Sequence, residues 1–166
     1  MSVDVFDAVM RGYSELEVAS NREIIDHFTQ IDDSSLAGHL SNIKGIYFEQ
    51  VYVDRLTQQG IHATIFETTN HPVVDIIVNA NDGVVTEFQL KATDSISYIN
   101  DTLEANPDIS IIATTEVASA FNNDMVIDSG ISNEALESEV AGTLLEDYVN
   151  PISPISIICA FFGIFM

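Results

Sequence analysis

Val73 to Lys91 reads VVDIIVNANDGVVTEFQLK and leaves the chain little conformational choice. Two apolar, β-branched runs flank Asn81-Asp82-Gly83, and Asp-Gly between such runs predicts a β-hairpin closed by a tight turn. Asp75 falls on the first strand. On the second, Glu87, Gln89 and Lys91 recur at every second position, so the pleat sets all three on one face. Phe88 and Leu90 then face the other way, into a core. Two acids, an amide and an ammonium on one hairpin are costly as packing and useful as chemistry.

Periodicity supplies the elements around the hairpin. Asp4 to Ala19 carries Val5, Phe6, Val9, Met10, Tyr13 and Leu16 at spacings of three and four, which predicts an amphipathic helix. Ser20 caps a second helix, from Asn21 to about Ile31, with Glu23 placed to complete a capping box. After a loop from Asp32 to Ser35, a long helix runs from Leu36 to about Gln58 and stops at Gly60. Its apolar stripe is Leu36, Leu40, Ile43, Tyr47 and Val51, widened by Ile46, Val53 and Leu56. Glu49 and Gln50 both map inside that arc. Glu49 reads either as a half-solvated helix carboxylate or as an acid aimed at a site.

Further along, His62 to Glu67 reads as a strand, followed by a turn through Thr68 to Pro72 and then the hairpin. Asp94 or Ser95 caps a helix through Ile99 and Leu103 that ends at Asn106-Pro107. Ile109 to Ala113 is an apolar run of the kind expected for a strand buried on both faces. Thr115 to Phe121 predicts a short helix and Met125 to Ile127 one more strand. Ser132 or Asn133 caps an acidic helix to Val149, with Ala135, Leu136, Val140, Leu144 and Leu145 on its buried side. The central order is helix, strand, strand, strand, helix, strand, so the expected class is α/β with a mixed sheet wrapped by helices. Residues 1–150 are expected to form a single domain, with N-terminal helices over 1–33, the core over 35–121 and the acidic helix within 122–150. Residues 151–166 form an apolar tail.

Charge narrows the partners. Five Lys and Arg against 26 Asp and Glu leave a net charge of −21. Such a field repels nucleic acid and anionic membrane at long range, so phosphate binding needs a local positive patch or bound cations. A basic protein partner suits the charge directly. Every Lys and Arg lies in the first 91 residues (Arg11, Arg22, Lys44, Arg55, Lys91), and no Lys, Arg or His follows Lys91. With 46% hydrophobic residues, the chain is too apolar for a disordered acidic segment.

A single cysteine, Cys159, excludes an internal disulfide and a multi-cysteine zinc cluster within these residues. Met1-Ser2-Val3-Asp4 lacks the charged opening of a signal peptide, and a cytoplasmic home is the expectation. Pro151 to Met166 is shorter than the roughly 20 residues a membrane-spanning helix needs. It reads as a final strand or core helix, as a membrane-touching or partner-docking tail, or as the start of a membrane segment. No Gly-rich phosphate loop, HExxH or GxSxG is present, and the four histidines lack ligand spacing. His71 reads as a structural turn histidine, and Tyr98 first as a packed helical residue, with contact to a substrate strand as the alternative.

The pattern and order of elements resemble the PD-(D/E)XK, restriction-endonuclease-like nucleases. His71-Pro72-Val73-Val74-Asp75 matches the motif acid of the second strand, and Gln89-Leu90-Lys91 matches the (D/E)XK of the third in its QxK form. Lys44-Gly45-Ile46-Tyr47-Phe48-Glu49 resembles the helical motif that supplies an additional Glu. The resemblance covers roughly Leu36 to Thr115 and implies an αβββαβ core. It further implies Mg²⁺ or Mn²⁺ as cofactor, with Asp75 as central ligand, Gln89 as a weaker neutral ligand and Glu49 as a ligand or a supporting group. A backbone carbonyl next to Gln89 completes that set. Lys91 would position the attacking water and stabilise developing charge. Gln89 replaces the family's usual acid, which removes one negative charge, and Glu87 on the same face is the candidate substitute. The implied activity is metal-dependent hydrolysis of DNA or RNA, in defence or as a toxin, by a chain that could pair as a homodimer. The rival expectation is an inactive module of the same fold that binds a basic protein or mimics DNA.

Overall fold

The computed structural model describes residues 3–66, 73–80 and 83–145. They fall into two compact units. One is Phe48–Asn133, and the other combines residues 3–47 with 134–145. The division falls inside a helix and at Asn133.

The first part of the second unit is helical: α1 (Val5–Gly12), a 3₁₀ turn (Ser14–Leu16), α2 (Asn21–Thr29) and the opening of α3 (Asp33–Gln58). The single helix expected over Asp4 to Ala19 is broken. Tyr13 is extended at φ −128 and ψ 100. Gly12 is a weak helix former, and Tyr13 packs its ring against His27, Phe28 and His39 while its hydroxyl shares a hydrogen bond with His39 Nδ1. Ser20 and Glu23 form the expected capping box, with Ser20 N–H donating to Glu23 Oε2 at 2.8 Å. Helix α3 starts three residues before the expected Leu36. Asp32 C=O accepts from the N–H groups of Ser35 and Leu36, which carries the first turn back to Asp33.

The last helix, α6 (Asn133–Leu145), returns to this core. Val140, Ala141, Leu144 and Leu145 are buried beside Val9, Phe28, Leu40 and Ile43, and Leu136 is buried on the same helix. Ala135, expected inside, is exposed, because at about 100° per residue it lies opposite the centre of that stripe. Each fully buried Leu, Ile or Phe contributes about 1.5–3 kcal/mol. Within the same core Lys44 Nζ bonds Glu137 Oε1 at 2.7 Å, with side chains 8% and 16% exposed. The lysine that sequence placed in a helical motif thus anchors a buried ion pair.

The unit Phe48–Asn133 is an α/β fold built on a five-stranded mixed sheet flanked by helices. Its strands are β1 (His62–Ile65), β2 (Ile76–Asn79), β3 (Val85–Lys91), β4 (Ser110–Ala113) and β5 (Val126–Asp128), in the spatial order β1-β2-β3-β4-β5. The first three pair antiparallel; β3–β4 and β4–β5 are parallel. Parallel neighbours need a crossover, and α4 (Ile96–Ala105) and α5 (Thr115–Ala118) supply the two. Strand β4 is buried on both faces, as its sequence predicts. One face packs Ile111 and Ala113 against Ile99, Val117 and Ala118.

Helix α3 ends in this unit on a Schellman motif. Ile61 N–H donates to Leu56 C=O and Gly60 N–H to Thr57 C=O, with Gly60 at φ +78, where a side chain would be strained. The hairpin register runs from Ile76 opposite Phe88 to Asn79 opposite Val85. Ala80 N–H then bonds Val84 C=O, and Gly83 stands at φ +84. Asn81 and Asp82 of the expected turn lie outside the described residues. So do Glu67, the turn Thr68 to Pro72 with His71, the end of the acidic helix beyond Leu145, and the tail 151–166. Among the described residues no helix is long and apolar enough to cross a membrane.

Candidate functional site

Asp75 stands immediately before β2 rather than within it. Its backbone still joins the sheet: its N–H donates to Phe88 C=O at 2.9 Å, and its C=O accepts from Phe66 N–H at 2.8 Å. The backbone ladder between β2 and β3 ends at the Ile76–Phe88 pair. Beyond it, Leu90 N–H finds its acceptor in a side chain, donating to Asp75 Oδ2 at 2.7 Å. A hydrogen bond to a charged group contributes about 1.5–3 kcal/mol, so this carboxylate both closes the ladder and is held by it. An ionised carboxylate offers about four acceptor positions, and Leu90 uses one. Burial pushes the Asp75 pKa above the ordinary carboxylate value, against the opposing pull of the Leu90 N–H and the Lys91 charge.

Gln89 is 8% exposed and lies beside Ile111 of β4. Its Oε1 is buried with no hydrogen-bond partner among the described residues. An acceptor in that condition costs about 1–3 kcal/mol unless water or an ion meets it. Gln50 Oε1, on α3, is in the same condition. Its place in the apolar arc of α3 was legible in sequence; its orphaned oxygen was not, because an amide can turn either end to solvent.

Lys91 closes β3. Its C=O accepts from Thr114 N–H at 3.3 Å. The fully buried Thr114 hydroxyl donates to Thr93 C=O at 2.7 Å and accepts from Thr93 N–H at 3.3 Å. This clamp holds the strand end where the ladder stops. The Lys91 ammonium stands 5.7 Å from the centroid of the Tyr98 ring, within cation–π range. Tyr98 is 48% exposed, which corrects the expectation of a packed helical tyrosine. It sits on the first turn of α4, where its backbone N–H donates to Ser95 Oγ, the cap of that helix. A first-turn position leaves the ring outside the Ile99–Leu103 face that enters the core.

The structure therefore brings Asp75, Gln89 and Lys91 together at one end of the hairpin. Glu87 precedes them on β3 and is exposed. Glu49 is half-buried on α3. Among the described residues no three His, Cys, Asp or Glu side chains gather as a metal-holding group. The oxygens assembled here are one carboxylate and one amide carbonyl. Both are hard donors of the kind Mg²⁺ takes in small number, together with waters and substrate oxygens. The chain matches no protein-family model, no curated protein and no solved structure.

Proposed function

We propose that the unit Phe48–Asn133 is a metal-dependent phosphodiesterase of the PD-(D/E)XK type, acting on nucleic acid. The observation that carries the reading is the buried, unpartnered Oε1 of Gln89 one ladder step beyond Ile76–Phe88, beside a desolvated Asp75 and the Lys91 cation. An orphaned oxygen at the position where the resemblance expects a ligand fits a divalent cation as its missing partner. The order α3-β1-β2-β3-α4-β4 supports the same reading, since it repeats the αβββαβ core that the resemblance implies.

Asp75 and Gln89 would hold Mg²⁺ or Mn²⁺. When bound, the ion supplies charge neutralisation on a phosphate oxygen and an acidified water. The chain's own residues do the rest. Asp75, tied to Leu90 N–H, presents its carboxylate in one orientation. Lys91, fixed through the Thr114 clamp, places a positive charge where the phosphate acquires negative charge, so its contribution is electrostatic and strongest in the half-buried setting it occupies. Gln89 contributes no charge, so the site binds its cation more weakly than one with an acid there.

Cleavage of plasmid and of labelled DNA and RNA oligonucleotides, with Mg²⁺ or Mn²⁺, tests the reading against Lys91→Ala and Asp75→Asn. Cleavage by wild type that both variants lose is the expected result. No cleavage of any nucleic acid with any divalent ion would remove the enzymatic reading. The net charge of −21 favours one rival, a non-catalytic module that binds a basic protein. Tight, salt-sensitive binding to such a partner, without hydrolysis, is its signature.

A further inference from the structure

We infer that the substrate of this site is a single-stranded nucleic acid, held mainly by base stacking on Tyr98 rather than by phosphate neutralisation. The inference rests on the nuclease reading for the location of the site and adds the form of substrate that the site can accept.

The first argument is the supply of positive charge. A protein that grips duplex DNA neutralises several phosphates with Lys and Arg, against one negative charge per roughly 1.7 Å of helix axis. This chain has five such residues in total, and none after Lys91. Lys44 is committed to Glu137 at 2.7 Å, and Arg22 pairs with Asp26 at 3.2 Å. Within the unit Phe48–Asn133, Arg55 Nη1 donates to the carbonyls of Ser129 and Gly130 at 2.9 and 3.1 Å, which leaves Lys91 as the cation at the hairpin end. One ammonium in a field set by a net charge of −21 makes no track for a duplex backbone.

The second argument is the aromatic ring. Tyr98 is nearly half exposed, at 48%, and so is Ile96 on the same first turn, at 50%, while Ile99 and Thr102 further along α4 are buried. The Lys91 ammonium lies over the ring, 5.7 Å from its centroid. A splayed base needs a flat apolar surface beside a cation that meets the adjoining phosphate, and these two side chains provide both. Bases of a duplex stay stacked on one another and offer no free face; unpaired bases do. The stacking contact itself involves no net charge on the base, so the acidic field acts only on the strand's phosphates, which are fewer per length than in a duplex.

Fluorescence anisotropy with a labelled oligothymidylate of about eight nucleotides, its oligouridylate counterpart and a hairpin duplex of the same length tests this. Each is titrated with wild-type protein, Tyr98→Phe and Tyr98→Ala, without divalent ions so that nothing is cut. Wild type and Tyr98→Phe should bind one or both single strands with similar affinity, and the DNA and RNA arms decide which. Tyr98→Ala should bind about 5- to 150-fold more weakly, the loss of one stacked base. The salt dependence should be shallow, with a log–log slope of about −0.7 for each phosphate contacted. Equal affinity of Tyr98→Ala and wild type, or duplex bound as tightly as single strands, overturns the inference. The two readings fail separately. Tyr98-dependent binding without hydrolysis under any divalent ion ends the enzymatic reading alone. Metal-dependent cleavage of duplex that Tyr98→Ala retains in full ends the stacking inference alone.

Discussion

Gln89→Leu separates what folding wants at this position from what the proposed reaction wants. Gln89 is 8% exposed, and its Oε1 has no partner. The unsatisfied acceptor costs about 1–3 kcal/mol. Leucine is close in volume, has no polar atom, and would lie beside Ile111 on β4. In EDTA the variant should therefore be more stable than wild type by about 1–2 kcal/mol. For a chain of this size that is a rise in Tm of about 2–8 °C. Thermal and urea unfolding followed by circular dichroism read it out. Adding Mg²⁺ should narrow the gap, because an ion bound only by the folded state stabilises by RT ln(1 + [L]/Kd), about 1.4 kcal/mol at ten times Kd. Wild type gains that increment, and the leucine variant gains less. The reasoning is refuted by a variant that is less stable than wild type in EDTA and responds equally to Mg²⁺. Gln89 would then be an ordinary packed residue, and the orphaned oxygen would carry no functional meaning.

Two further outcomes concern groups that the fold buries. Lys44→Met strands the Glu137 carboxylate in a site where the two side chains are 8% and 16% exposed, and should cost about 3–5 kcal/mol in urea unfolding; adding Glu137→Leu should recover most of it. Failure of the second change to recover stability would mean that the pair contributes through more than mutual neutralisation. Asp75→Asn should show a pH-dependent advantage. Burial raises the Asp75 pKa, so the folded state holds this proton more tightly than the unfolded chain, and the associated stability is complete below the ordinary carboxylate range. It is lost as pH rises through the raised folded value. The uncharged amide loses nothing over that interval, so its stability relative to wild type should climb from acid toward neutral pH and then level off. An advantage largest in acid would contradict the assignment.

The strands and most helices were legible because each rests on a local rule. The Ser20–Glu23 capping box, the Asn106-Pro107 stop and the doubly apolar β4 are signals a few residues long, and the structure contains them. The break at Tyr13 was not legible, because its cause lies on other helices: His27, Phe28 and His39 receive the ring. Tyr98 was misjudged for a related reason. Periodicity places it on α4 but does not reveal that the first turn of that helix stands clear of the core.

For the site, alternation along β3 put Gln89 and Lys91 on one face, and residue order alone was enough for that; Asp75, expected on the neighbouring strand, stands just before it. The hairpin turn, the charge of −21 and the scarcity of cations belong equally to the sequence, because pleat geometry and ionisation are properties of residue types. What Asp75, Gln89 and Lys91 meet depends on the tertiary structure. Where the β2–β3 ladder ends decides that Asp75 Oδ2 receives Leu90 N–H. The depth of Gln89 beside Ile111 decides that its Oε1 goes unpartnered. The crossover through α4 decides that Lys91 lies over Tyr98. Desolvation and hydrogen-bond satisfaction are set by what surrounds a group, and residues far apart in the chain supply those surroundings.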